Sequence, residues 1–189
     1  MDLSPELLLH AYRQGLFPMG NEEGGIDWYC PDPRAIIPME SALPGRTMQR
    51  LLRKGRFRLT LDTSFTEVMR ACGEREETWI NDEMVGAYTA LHELGHAHSA
   101  EAWVGERLVG GIYGVSMGSA FFGESMFTKS DNAGKAAFHH LMAHLRERGF
   151  SLFDSQIIND FTRTLGASEI PFTDFQARLA RAVVEIDRW

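Results

Sequence analysis

Along the chain, stretches with apolar residues at every third or fourth position give way to stretches with apolar residues at every second position, and glycines separate the two kinds. Ser4 and Pro5 form an N-cap and first-turn pair for a helix that Gly15 stops. The basic segment that follows sets Met48, Leu51 and Leu52 on one side of a second helix ending before Gly55. FRLTL (57–61) predicts a strand. Ser64 with Glu67 predicts a capping box for a helix ending near Gly73, and Asn81 opens another, with Met84, Tyr88 and Leu91 on one face and Gly95 at its end. Three strands in a meander follow: HSAEAWV (98–104), RLVGGIYGV (107–115) and SAFFGESMF (119–127), joined by turns at 105–106 and 116–118. A helix over 133–148 carries Ala137, Leu141, Met142 and Leu145 to a stop at Gly149, and the next strand holds Asp154. Asn159 caps a short helix that stops at Gly166, and Thr173 with Gln176 predicts a second capping box for a helix running to about Ala182. VVEIDRW (183–189) predicts an edge strand.

From residue 57 the order is strand, two helices, three antiparallel strands, helix, strand, helix and a last strand. A meander with helices on both sides implies an α/β domain built on a mixed sheet. This order resembles the acetyltransferase-like (GNAT) fold. Residues 1–33, which run into the Gly/Pro-rich stretch GNEEGGIDWYCPDPR, are expected to form a small N-terminal lobe, and 34–189 the main domain.

A chain of 189 residues with 44% apolar and 24% charged positions suits one well-buried soluble domain with a small appendage. Its apolar runs are too short to span a membrane, and its N-terminus has no basic leader of the secretory kind. Cys30 and Cys72, in no pattern, read as free thiols of a cytoplasmic protein. The net charge of -7 excludes nonspecific nucleic-acid binding by the whole surface. A local basic strip is nevertheless present: Arg46, Arg50, Arg53, Lys54, Arg56 and Arg58 lie within thirteen residues that include no acid. It reads either as a solvated helix face or as a strip that contacts phosphates.

Two apolar runs, 119–127 and 149–159, contain Glu124, Asp154 and Gln156. Burying a carboxylate without a partner is costly, so these are poor choices for a purely structural core. Asp154 and Gln156 are two apart on a strand and therefore share a face, with Asn159 just beyond the strand end. Phe121, Phe122, Met126, Phe127, Phe150 and Phe153 surround them in sequence, the composition of an apolar ligand pocket with a few polar groups. The competing reading is a hydrogen-bonded network that fixes the sheet. His92-Glu93-Leu94-Gly95-His96 fits the HExxH zinc pattern, but Gly95 ends the helix between the two histidines, so no metal is expected. Asn132-Ala133-Gly134-Lys135 opens the long helix, whose free N–H groups suit an anion. The single glycine between Phe127 and Ala137 does not make the glycine-rich pyrophosphate loop of a coenzyme A enzyme, and no cofactor is expected.

Seven stretches, AYRQGLFP (11–18), WYCPDPRAIIP (28–38), TWI (78–80), LHELGHAHSAEAW (91–103), LVGGIYGV (108–115), FFGESMF (121–127) and DSQIINDFTRTLGASEIP (154–171), resemble the leucyl/phenylalanyl-tRNA:protein transferases. The resemblance implies an enzyme that moves leucine or phenylalanine, with methionine a further candidate, from aminoacyl-tRNA to the α-amine of proteins starting with Arg or Lys. Such proteins are thereby marked for degradation by the N-end rule. It also implies the acetyltransferase-like fold and a charged-tRNA donor in place of coenzyme A. Acetyl-CoA-dependent N-acetylation is the alternative reading. By resemblance Asp154 activates the amine through or together with the Gln156 carbonyl, Asn159 holds Gln156, and Glu124 supplies a second negative charge. Phe121 and Met126 would line the donor side-chain pocket, and Trp79 would contact the terminal adenosine. Arg46, Arg50, Arg53, Lys54 and Arg56 would hold acceptor-stem phosphates. A monomer is expected. Relative to most members, the chain begins close to its DLSP segment, has Met19 in place of a common tryptophan, and has Ser155 in place of a common cysteine. By strand alternation Ser155 is expected to point away from the Asp154 face.

Overall fold

In α1 (Pro5–Arg13) the Ser4 hydroxyl accepts the Leu7 N–H at the cap, and Leu8, Ala11 and Tyr12 are buried. The computed structural model describes residues 3–40, 42–186 and 188–189. After α1 comes an antiparallel hairpin, β1 (Phe17–Gly20) and β2 (Ile26–Tyr29). Asn21 makes its turn by accepting the Glu23 and Gly25 N–H groups on one side-chain oxygen. β3 (Arg34–Ile36), α2 (Arg46–Arg53), β4 (Arg58–Leu61), α3 (Phe65–Gly73) and α4 (Asp82–Glu93) follow. Next are the meander β5 (Ala97–Val104), β6 (Arg107–Met117) and β7 (Ala120–Thr128), the crossover helix α5 (Ala133–Glu147), and β8 (Leu152–Gln156). α6 (Asp160–Thr164), β9 (Ser168–Ile170) and α7 (Phe172–Ala182) complete the order.

Among the described residues, seven strands form one sheet in the order β4-β5-β6-β7-β8-β3-β9. Every neighbouring pair is antiparallel except β7 and β8, which the α5 crossover makes parallel. The expected mixed sheet is therefore present. Each face carries its own apolar cluster. Leu8, Tyr12, Phe17, Tyr88, Tyr113, Phe122 and Phe175 meet on one face, so α1 packs into the same core as α4 and α7. On the other, α5 lays Ala137, Phe138, Leu141, Met142 and Leu145 against Phe121 and Phe153, with Met48 of α2 in the same cluster. Adjacent residues of β7, Phe121 and Phe122, thus serve opposite layers, as strand alternation requires.

Four local expectations change. Ser64 caps α3 in position, but its hydroxyl bonds the Glu67 carboxylate at 2.5 Å instead of a backbone N–H. α7 begins at Phe172, one residue before the expected Thr173 cap. There the Asp32 carboxylate accepts the Phe172 N–H at 3.1 Å, which satisfies a helix-end donor without a Thr173 box. Residues 168–170, to which the sequence pattern assigned no element, form β9 and occupy the sheet edge beside β3. The expected C-terminal edge strand VVEIDRW does not form over its described residues: 183–186 are turn and coil, and Asp187 lies outside the described residues.

Candidate active site

β7 and β8 pair from Ala120–Leu152 to Phe122–Asp154 and no further. Beyond that register the strands part, and a cavity of about 340 Å³ lies between them, within the size range of small-molecule sites. Gly123, Glu124, Ser125 and Met126 line it from β7, and Phe153, Ser155 and Gln156 from β8. Ile37, Ile112, Phe138, Phe153 and Leu165 give it a buried apolar wall beside the buried Ser125 and Gln156, while Met19, Arg75, Trp79 and Phe161 stand where it opens to solvent.

Glu124 is the acid of this cavity. Its Oε1 accepts the Tyr12 hydroxyl at 2.7 Å and the Gln156 amide Nε2 at 2.7 Å. The Tyr88 hydroxyl lies 2.5 Å from that of Tyr12. Because the Tyr12 proton goes to Glu124, Tyr88 is the donor to Tyr12, and a relay Tyr88 to Tyr12 to Glu124 results. Burial, with the charge of Glu124 next, holds the Tyr12, Tyr88 and Tyr113 phenols well above their ordinary value, so all three stay protonated. Burial also pushes Glu124 up to about 7. The Tyr12 bond opposes that rise, the Asp154 charge adds to it, and the Gln156 bond and Arg34 oppose it further.

Asp154 does not reach the cavity. It is fully buried, and Arg34, equally buried, grips it through Nε to Oδ1 at 2.9 Å and Nη2 to Oδ2 at 2.6 Å. The remaining guanidinium nitrogen, Nη1, donates to the Gly15 carbonyl at 2.9 Å. The rings of Phe17 and Phe175 lie 5.0 and 4.6 Å from the guanidinium carbon. The expectation that Asp154 and Gln156 enter one hollow side by side is corrected for a geometric reason. Alternation holds along β8, but Phe153 and Ser155 are the residues that face the cavity, and Asp154 faces the opposite layer. Gln156 then adopts a left-handed backbone, φ 60°, with its N–H on Asp154 Oδ1 at 2.9 Å, and its amide reaches Glu124. Ser155, expected to face away from the site, lines it.

The other expected residues divide similarly. Met126 and Trp79 line the cavity. Phe121 does not; it is fully buried beneath Phe153, at a ring separation of 5.5 Å, and supports the wall from behind. Asn159 stands at the rim, but its side chain accepts the Thr162 N–H at 2.8 Å and caps α6, so it holds that helix and not Gln156. Arg75 reaches over from the end of α3, donating to Ser125 Oγ at 2.9 Å and the Met126 carbonyl at 2.7 Å, 5.6 Å from the Trp79 ring. The Gly20 N–H donates to the Trp79 carbonyl at 2.9 Å. A Cβ on Gly20 would stand 2.5 Å from that oxygen.

Comparison with known proteins agrees along the whole chain. Residues 36–180 match the sequence profile of the leucyl/phenylalanyl-tRNA protein transferase family, and residues 1–32 match that of its N-terminal domain. A leucyl/phenylalanyl-tRNA–protein transferase of Rubrobacter xylanophilus is 46% identical over 189 residues, 100% of this chain and 98% of the relative. One from Anaeromyxobacter sp. (strain K) is 48% identical over 187 residues, 96% of this chain and 80% of the relative. The chain belongs to the leucyl/phenylalanyl-tRNA protein transferase family. Among solved structures FemX shares the fold, with a TM-score of 0.58 at 14% identity, covering 88% of this chain and 66% of FemX. The mixed sheet of this transferase family member, flanked by helices, is accordingly of the FemX kind.

Several residues of the site in this transferase family member escaped sequence reasoning. Arg34 is the partner of Asp154, and Tyr12 and Tyr88 order Glu124; the signal was polar groups within otherwise apolar periodic runs. The basic strip is exposed as a row: Arg46, Arg50 and Arg53 on α2, Lys54 at its C-cap, Arg56 and Arg58 beyond it, while Met48 is buried. Among the described residues, no helix is long and apolar enough to cross a membrane.

The two histidines of the HExxH pattern separate as expected. α4 ends at Glu93, and Gly95 at φ 80° turns the chain away before His96. His92 instead approaches Asp62 and His98, with ligand atoms within 4.8 Å of one another. That group is satisfied from within. Asp62 accepts from His98 Nδ1, the Ser99 N–H and Trp189 Nε1, each at 2.8 Å, and His92 Nδ1 lies 2.7 Å from the Ala97 carbonyl.

Proposed function

We propose that this chain moves leucine or phenylalanine from an aminoacyl-tRNA to the α-amine of proteins beginning with Arg or Lys, in the cytoplasm, and so marks them for degradation by the N-end rule. The observation that carries this reading is an apolar hollow of about 340 Å³ that ends at a carboxylate and an amide. Ile112, Phe138 and Phe153 suit a branched or aromatic donor side chain, with Met126 beside them. Glu124 and the Gln156 amide suit a cationic amine. Because the tRNA ester is already activated, holding amine and ester together supplies much of the acceleration.

Trp79 would serve as a stacking platform for the terminal adenosine. Arg46, Arg50, Arg53, Lys54 and Arg56 would hold phosphates of the acceptor stem, which makes affinity salt-dependent. Asp154 acts from behind, by fixing the backbone turn at Gln156, and Asn159 frames the rim through α6. The test is transfer of labelled leucine, phenylalanine or methionine from charged tRNA to peptides starting with Arg, Lys or Ala. Product on the basic peptides but not on the Ala peptide is expected; no product on any basic peptide overturns the reading. Thermal stabilisation by coenzyme A, and none by charged tRNA, would favour N-acetylation instead.

A further inference from the structure

We propose that Glu124 itself takes the proton of the incoming α-ammonium group, and that Tyr12, backed by Tyr88, is the positioning residue that sets how readily it does so. The proposal rests on the aminoacyl-transfer reading above and names the base within that site. Among the described residues that line the cavity, Glu124 is the one carboxylate, and no histidine, lysine or cysteine joins it. Asp154 is sealed behind the wall with both oxygens on Arg34. Gln156 is an uncharged amide. The short bonds that Glu124 accepts from Tyr12 and Gln156 both fall on Oε1.

The groups that face Glu124 come from each packed element: Tyr12 from α1, Tyr88 from α4 and Tyr113 from β6, with Asp154 of β8 and Arg34 of β3 a layer behind. Arg75 lies across the cavity. Burial brings this carboxyl to about 7, close to the ordinary value of an α-amine, roughly 7.7–8.0. A base so matched to its substrate transfers protons in both directions at neutral pH. In the step, Glu124 accepts one proton from the ammonium, and the amine lone pair forms the C–N bond at the ester carbonyl carbon. The bond from that carbon to the ribose oxygen then breaks. The leaving oxygen takes the proton back from Glu124, the adduct nitrogen releases its surplus proton to solvent, and the carboxylate ends as it began.

The experiment is the pH dependence of kcat/KM for leucine transfer from charged tRNA to an Arg-starting peptide. Tyr12→Phe removes a hydrogen bond to the ionised carboxylate, so the acid limb moves up by about one pH unit. The alkaline limb, a property of the peptide amine, stays in place. A merely structural Tyr12 would lower the rate without moving the limb. Glu124→Gln is expected to lose roughly a hundred- to ten-thousand-fold in kcat and to abolish the acid limb, with KM for charged tRNA unchanged. An acid limb that stays put in Tyr12→Phe, or survives in Glu124→Gln, overturns the proposal while wild-type transfer stands. Absence of wild-type transfer overturns the functional reading with it.

Discussion

Replacing Asp154 by asparagine removes the charge opposite Arg34 but keeps the side-chain shape and the oxygen that accepts the Gln156 N–H. Arg34 then remains fully buried with neutral acceptors alone, the Gly15 carbonyl and the asparagine oxygen that replaces Oδ1. Stranding one partner of a buried ion pair costs about 3–5 kcal/mol. For a domain of this size that corresponds to a fall in Tm of roughly 6–20 °C, against a total stability of about 5–15 kcal/mol. The double variant Arg34→Met/Asp154→Asn should recover part of the loss, because no charge is left unpaired. An unsatisfied Gly15 carbonyl keeps about 1–3 kcal/mol of it. Urea unfolding of the two single variants and the double variant measures the coupling. Transfer is assayed at a temperature where Asp154→Asn is folded, and its kcat should fall by less than the hundredfold that removal of a base entails. A variant that unfolds like the wild type yet loses transfer completely would refute this reasoning and make Asp154 a direct participant.

Glu124 binds its proton more tightly folded than unfolded, so its contribution to stability is full below about pH 4.5 and is lost as pH rises through about 7. Glu124→Gln should therefore be more stable than the wild type at pH 8, by up to roughly 3 kcal/mol, and the gap should close below pH 4.5 in paired urea titrations. Trp79→Ala should raise KM for charged tRNA by about 5- to 150-fold, the equivalent of one base stack of about 1–3 kcal/mol, and leave KM for the peptide unchanged in steady-state assays. Each of Arg50→Ala and Arg53→Ala should reduce the slope of log K against log salt for tRNA binding by about 0.9, measured by filter binding, while the melting temperature stays put because both side chains are exposed.

Much of the fold was legible because its punctuation is strong. Asn81 caps α4 through the Met84 N–H, Gly95, Gly105, Gly118 and Gly149 sit at positive φ where elements end, and the β5–β7 meander follows from its turns. Three-residue strands such as β3 and β9 have too few positions to show a period, and their pairing partners are distant in sequence. In the site, alternation established that Asp154 and Ser155 face opposite ways but not which way the cavity lies. That depends on where β7 and β8 part, a tertiary fact. Gln156 broke the pattern through a left-handed backbone, which no glycine or asparagine announced. Arg34 was invisible for a related reason: an arginine in RAIIP reads as surface until its carboxylate is found 120 residues away.

The clasp between Gly20 and Trp79 ties the rim of the hollow to the start of the chain. From Gly20, β1 leads back through Phe17, which packs beside Arg34, to Gly15, whose carbonyl Arg34 holds, and on to Tyr12, which holds Glu124. One continuous stretch of chain, residues 12–20, thus anchors both the indole at the rim and the carboxylate inside the hollow.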